Sequence, residues 1–194
     1  MPTERRFQRV TDVLDRRQPD LRVVLEGVAI AHNASAVIRT CDAAGVLNLD
    51  LISPNPDVLV FNKAISTRAD KWILFNVHAS VTECLSKLKA EGYLIAATHL
   101  AEDAVPYREV DYTQPIALVF GSESEGISAE ALALSDIKLR IPMVGMVQSL
   151  NLSVSVGIVL YEAFHQRWAK GLYGRRRLPQ AQYDELLKAW LGSE

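Results

Sequence analysis

The amino-acid sequence predicts an α/β fold, a largely parallel sheet with helices on both faces. Two observations carry that prediction. Short apolar runs alternate with segments of helical spacing from Leu21 to Ile141, as strand–helix–strand units require. No internal repeat, low-complexity tract or linker interrupts the alternation. Residues 1–194 therefore read as a single domain, long enough for a proper core.

Phe7, Val10, Val13 and Leu14 recur at helical spacing and mark an amphipathic N-terminal helix ending near Pro19. Leu21 to Val28 reads as a buried strand. Asn33 to Ala44 reads as a helix stopped by Gly45, since glycine favours the left-handed position after a helix end. Leu49 to Ile52 is a short strand before a proline-interrupted loop. Ile73 to Val77 is a strand, Val81 to Glu91 a helix closed by Gly92, and Tyr93 to Thr98 another strand. Ile116 to Phe120 leads into the Gly121 loop, a helix from about Ser128, and the strand Ile137 to Ile141.

The helix after Asn151 is apolar nearly all round, with Leu152, Val154, Val156, Ile158, Val159, Leu160, Tyr161 and Phe164. Such a helix is buried on more than one side. Ser153 and Gly157, four apart, leave room for another backbone. A central place within one chain and a place in a subunit interface fit this pattern equally well.

Composition excludes several classes. The hydrophobic fraction of 49% and charged fraction of 23% are ordinary for a soluble globular protein. No apolar run approaches a membrane span and the N-terminus lacks a signal-peptide core, so a cytoplasmic protein is expected. Cys41 and Cys84 are too few for a disulfide framework and stand in no metal-ligand pattern. His32, His78, His99 and His165 are scattered. Reduced cysteines and no metal are expected.

The formal net charge of −2 hides a polarised distribution. Residues 1–22 carry six arginines against four acids, and Ala163 to Tyr183 holds Arg167, Lys170, Arg175, Arg176 and Arg177 with no acid. Basic ends on an acidic middle suggest a surface for a polyanion. Taken alone, the N-terminal arginines read as a solvated helix face. The five C-terminal cations, with Trp168 and Tyr173 nearby, point instead to phosphate pairing beside aromatics that stack on unpaired bases. Short helical extensions, about 1–20 and about 171–194, are the expected carriers.

The stretch Ile141-Pro142-Met143-Val144-Gly145-Met146-Val147-Gln148-Ser149-Leu150-Asn151-Leu152-Ser153-Val154-Ser155 is the most informative. It leaves a strand, crosses a loop built on Pro142 and Gly145, and presents Gln148, Ser149 and Asn151 just before the apolar helix. Ser and Asn suit a helix N-cap, and free N–H groups converging there suit a ligand. Upstream stand Gly121-Ser122-Glu123-Ser124-Glu125-Gly126, and earlier Asn33 and Arg39. Gly121 through Gly126 lacks the middle glycine of the dinucleotide fingerprint, so that class of cofactor loop is excluded.

In this order these segments resemble the SPOUT superfamily, specifically its SpoU/TrmH family of tRNA ribose 2′-O-methyltransferases. The likeness runs from about Arg5 to Trp190. It includes Arg16 to Leu21, His32-Asn33 through Arg39-Thr40, Arg108 to Thr113, and Met143 to Ser153. The resemblance implies a homodimer with a shared catalytic site and a C-terminal deep trefoil knot, placed between about Phe120 and Phe164, against the general rarity of knots. It implies S-adenosylmethionine as methyl donor, no metal, and tRNA as partner, with the D-loop guanosine at position 18 as target.

The same resemblance names Thr98, Gly121, Ile141 and Leu150 as cofactor contacts, and Arg39, Asn33, Glu123, Ser149 and Asn151 as the catalytic set. Without it, Ile141 and Leu150 read as core packing and Asn33 as a helix cap. A ribose 2′-hydroxyl is weakly acidic and must lose its proton around attack. A guanidinium acting as the base works against about six pK units, roughly 8 kcal/mol. Arg39 is therefore expected to stay charged, orient the adjacent phosphate and stabilise the developing alkoxide, with a phosphate oxygen or water taking the proton. Ser66 to Lys71 is bulkier and more charged than the small-residue stretch usual there, which bears on substrate range. Two alternatives stay open: the same reaction on ribosomal RNA or another tRNA nucleotide, and a noncatalytic RNA-binding protein of this fold.

Overall fold

The computed structural model describes residues 2–27, 33–53, 69–122 and 125–192. Its strands are β1 (Gln18–Glu26), β2 (Val46–Ile52), β3 (Leu74–His78), β4 (Leu94–Thr98), β5 (Val105–Pro106), β6 (Ile116–Phe120) and β7 (Ile137–Arg140). They form one parallel sheet in the order β3-β2-β1-β6-β4-β7-β5. The helices are α1 (Glu4–Leu14), α2 (Asn33–Ala43), α3 (Val81–Ala90), α4 (Ala129–Leu134), α5 (Leu152–Ala169) and α6 (Gln180–Gly192).

Residues alternate between the two faces of the sheet with the period of two that strands impose. Leu21, Val23 and Leu25 of β1, with Ile116, Leu118 and Phe120 of β6, pack under α2 and α5. Val24, Ala117 and Val119 point the other way, to Cys84, Leu85 and Leu88 of α3 and Ala131 of α4. The expected helices on both faces are there. A third cluster joins α1 to α6 through Val10, Leu14, Tyr183, Leu186 and Trp190, and Trp72 meets Trp190 edge-on at 5.2 Å. Among the described residues no helix is long and apolar enough to cross a membrane.

The structure departs from the sequence reading at a few edges. β1 begins at Gln18, ahead of Leu21, because the Gln18 N–H donates to Gly45 O at 2.8 Å and a register irregularity lies between Gln18 and Arg22. β5 was not expected. Its two residues pair only with β7, a long-range register that no local pattern encodes. On α5, Leu152, Val156, Val159, Leu160 and Ala163 are buried, while Val154 and Tyr161 stay exposed, so the chain alone does not cover this helix all round.

The amino ends of the strands are sealed by arginines. Arg167, in the last turn of α5, is 0% exposed. Its Nε donates to Tyr112 O at 2.8 Å. One Nη donates to Gln18 Oε1 at 3.1 Å and Asp20 Oδ1 at 2.7 Å, the other to Asp20 O at 3.3 Å and Gln114 O at 2.8 Å. Every N–H of the guanidinium has an acceptor, and none is left for a phosphate. The expectation that Arg167 contacts RNA is thus corrected: its charge is spent on β1 and the segment before β6. Arg177 also reaches Asp20, at 2.7 Å, and Arg176 pairs with Asp15 at 2.8 Å while lying 3.5 Å over the Tyr183 ring. Arg17, equally buried, donates to the Asp42 carboxylate and to the carbonyls of Asp42, Val46 and Trp72. Burial holds its pKa below the usual arginine value despite the Asp42 charge.

Candidate active site

The carboxyl ends of the strands are open by contrast. A cavity of about 430 Å³ lies beyond β4, β6 and β7. Thr98 ends β4 on its wall, with Oγ1 donating to Val119 O at 3.3 Å. Gly121 follows β6, Ile141 follows β7, and Ser149 and Leu150 close the far side. The four positions named by resemblance for a cofactor thus bound one cavity together with Ser149.

Gly121 has a reason of its own. A Cβ there would sit 1.9 Å from the carbonyl oxygen of Gly126, so the loop closes only without a side chain. The closure is held by the Gly126 N–H donating to Ser122 O at 2.9 Å and the Glu125 N–H to Ser122 Oγ at 3.1 Å. Gly126 has φ +70°, in the left-handed region that glycine tolerates. Close approach was expected at Gly121; the backbone that approaches is the loop's own.

The segment 141–151 is mostly exposed, Val144 and Met146 fully so, while Met143 turns inward to the cavity. It ends where Asn151 caps α5, its Oδ1 accepting from Ser153 N at 2.9 Å and Ser153 Oγ at 2.6 Å. The cap reading of Asn151 holds. Arg39 lies on the exposed face of α2 and is not part of the cavity wall. Asn33 opens α2. Glu123 lies outside the described residues, as do Ser66 to Arg68 of the charged loop; Ala69–Trp72 is a 3-10 turn. Among the described side chains of the catalytic set, only Ser149 therefore stands at the cavity.

His99, Leu100, Glu125 and Ser155 also line it; none was named as a site residue from sequence, although Glu125 and Ser155 stand in the stretches 121–126 and 141–155. Ser155 carried a usable signal, one turn beyond the cap on the same helix. A neighbouring cavity of about 320 Å³, beyond β1 and β2, shares Ser122, Glu125 and Gly126 with the first. The structure also brings Asp50 to His78 and Cys84, with donor atoms within 4.8 Å of one another. They suit a metal poorly. Both Asp50 oxygens accept from Arg22 at 2.8 Å, and burial pushes the Cys84 thiol up to about 12, away from the thiolate a metal needs.

A parallel sheet with a ligand-sized cavity outside the carboxyl ends of its strands defines an α/β protein of the ligand-binding class. The profile of the SpoU rRNA Methylase family matches residues 20–161, and the chain belongs to that family. It is 49% identical over 189 residues to the tRNA (guanosine(18)-2′-O)-methyltransferase of Thermus thermophilus, covering 97% of each chain. It is 43% identical to the Escherichia coli protein of the same name, covering 94% of this chain and 80% of that one. The A. aeolicus TrmH/SpoU tRNA modifying enzyme superposes with a TM-score of 0.91 at 42% identity, covering 97% and 95%. An AdoMet-bound rRNA methyltransferase from Sinorhizobium meliloti follows the fold at a TM-score of 0.63 and 29% identity, covering 77% and 61%.

Proposed function

We propose that this protein transfers the methyl group of S-adenosylmethionine to the ribose 2′-hydroxyl of a tRNA guanosine, guanosine 18 as in the names of its relatives. The observation that carries the reading is the convergence of Thr98, Gly121, Ile141, Leu150 and Ser149 on the cavity beyond β4, β6 and β7. The donor supplies an electrophilic methyl carbon on a leaving group that departs neutral, so no metal is required. Main-chain groups of the loops after β6 and β7 read the adenine, and the closed Gly121 loop keeps that wall rigid. Arg39 orients the phosphate next to the acceptor ribose and stabilises charge developing on the 2′-oxygen, while a phosphate oxygen or water takes the proton. Asn33 and Glu123 orient Arg39 and the loops. Ser149 and Asn151 tie the cofactor loop to the start of α5.

Arg39 stands off the cavity wall, which supports a set completed by a second copy of the chain. A homodimer is part of the proposal: a second copy laid along the exposed Val154 and Tyr161 of α5 covers that stripe and brings its own Arg39 to the cavity. A trefoil knot between about Phe120 and Phe164, a cytoplasmic location, and RNA contacts from the helical ends complete it. Lys170 and Arg175, exposed and in no ion pair among the described residues, are the phosphate contacts. Arg176 and Arg177, already paired to aspartates, contribute less.

The test is transfer from labelled S-adenosylmethionine to unmodified bulk tRNA, followed by nucleoside mass spectrometry. The expected product is 2′-O-methylguanosine, abolished by Arg39→Ala. Cofactor binding with transfer only to ribosomal RNA would favour the alternative substrate that the family description names. Binding with no transfer to either would mark a noncatalytic RNA-binding protein.

A further inference from the structure

The C-terminal half of α5 carries a ladder of rings. Tyr161 and Phe164 lie 5.7 Å apart, Phe164 and Trp168 5.5 Å, Phe164 and Tyr173 5.0 Å, and Trp168 and Tyr173 5.8 Å, all tilted. Tyr173 is buried, its hydroxyl donating to Ala44 O at 2.7 Å. Its backbone is placed by the turn at Gly171, φ +70°, which sends the chain back over the helix end. Trp168 is therefore braced by two fixed rings while remaining 59% exposed. An indole held in this way loses little conformational freedom when something flat lies against it.

Its surroundings decide what that is. Lys170 lies two residues on and Arg175 just past the turn; both are exposed, and neither forms an ion pair among the described residues. The other cations of this end are consumed internally by Asp20 and Asp15. Trp168 continues the exposed Val154 and Tyr161 stripe at its far end. There Lys170 and Arg175 of two copies would repel each other, so a copy laid along that stripe stops short of it and a polyanion is attracted instead.

We propose that Trp168 is a stacking platform for an unpaired nucleobase of the RNA substrate, with Lys170 and Arg175 holding the flanking phosphates. Aromatic side chains beside a basic track bind single-stranded nucleic acid in this way, each stacked base adding a sequence-tolerant increment of affinity. The inference rests on the reading of tRNA as substrate and adds a residue outside the catalytic set. It places an RNA contact at the carboxyl end of α5, opposite the end capped by Asn151.

The experiment compares full-length wild type, Trp168→Ala, Trp168→Leu and Trp168→Tyr. Affinity for unmodified tRNA, affinity for S-adenosylmethionine and mass by light scattering are measured on each. The expected result is a roughly tenfold loss of tRNA affinity in the Ala and Leu variants, recovered in the Tyr variant, with donor affinity and mass unchanged. KM for tRNA rises while kcat holds. Unchanged tRNA affinity in Trp168→Ala overturns the platform and leaves the proposed reaction standing. A fall in mass in Trp168→Ala also overturns it and assigns the face to a second copy. Wild type that binds the donor but no tRNA removes the underlying reading itself.

Discussion

The two ends of the parallel strands carry opposite designs. At the carboxyl ends, the polypeptide turns away in loops and leaves a cavity walled by Thr98, Gly121, Ile141 and Ser149. At the amino ends, Arg17 and Arg167 are drawn fully inside and their donors meet backbone carbonyls and aspartates. The open end leaves room for a ligand. The closed end spends its charges on its own carbonyls and aspartates. The lesson concerns arginine: the same residue type at the two ends of one sheet is a candidate for chemistry at Arg39 and an internal fastener at Arg167. Burial and partner count, not charge, tell them apart.

That contrast can be broken at either end. At the open end, Arg39→Ala is expected to cut methyl transfer by at least about 100-fold. The thermal midpoint should stay in place, because Arg39 is exposed. Should Arg39→Lys keep most of the turnover, the fork geometry assigned to the guanidinium is wrong. Arg167→Met is expected to behave the other way, losing about 1–3 kcal/mol in urea unfolding because the Tyr112 and Gln114 carbonyls lose their buried donor, while Asp20 keeps Arg177. Gly121→Ala should weaken donor binding, read by calorimetry, more than it lowers stability, since its clash is with the loop's own Gly126. Asn151→Ala should cost about 1 kcal/mol through loss of the α5 cap.

Alkaline titration sharpens the picture of the closed core. Burial raises the Cys41 and Cys84 thiols to about 12 from an ordinary 9, and the Tyr173 phenol to about 12 from 10. A raised folded pKa means that the native state holds the proton more tightly than the unfolded one. The thiol contributions are fully present below about pH 9 and are lost as pH climbs toward 12; the phenol's is lost between about 10 and 12. Stability should fall over that window, and both thiols should resist a disulfide reagent at pH 8 until the chain unfolds.

Much of this was legible in the chain. The central strands declare themselves because they are covered on both faces: β6 runs apolar without a break, and β1 does so from Leu21 to Leu25 but for Arg22. The cap at Asn151 is local chemistry, spelled within three residues. The place of Ile141 and Leu150 on the cavity wall was legible only by resemblance, since apolar side chains at those positions read equally as core packing. The fate of Arg167 was not legible, because its aspartate lies 147 positions away. Asp20 looks like any surface acid until the fold brings the end of α5 over it. Val105 and Pro106 likewise become a strand only when β7 arrives beside them.

The clasp between Asp20 and the pair Arg167 and Arg177, together with α1 lying against α6, joins segments separated by 147 positions and more. During translation the apolar stripe of α1 emerges with no mate. Arg17 can find Asp42 early, but Asp20 must wait until Arg167 has left the ribosome. Contacts of such long sequence separation form late, and slowly. A ribosome stalled before residue 167 should therefore display a nascent chain with α1 still undocked and open to proteases, and extension past α6 should close it.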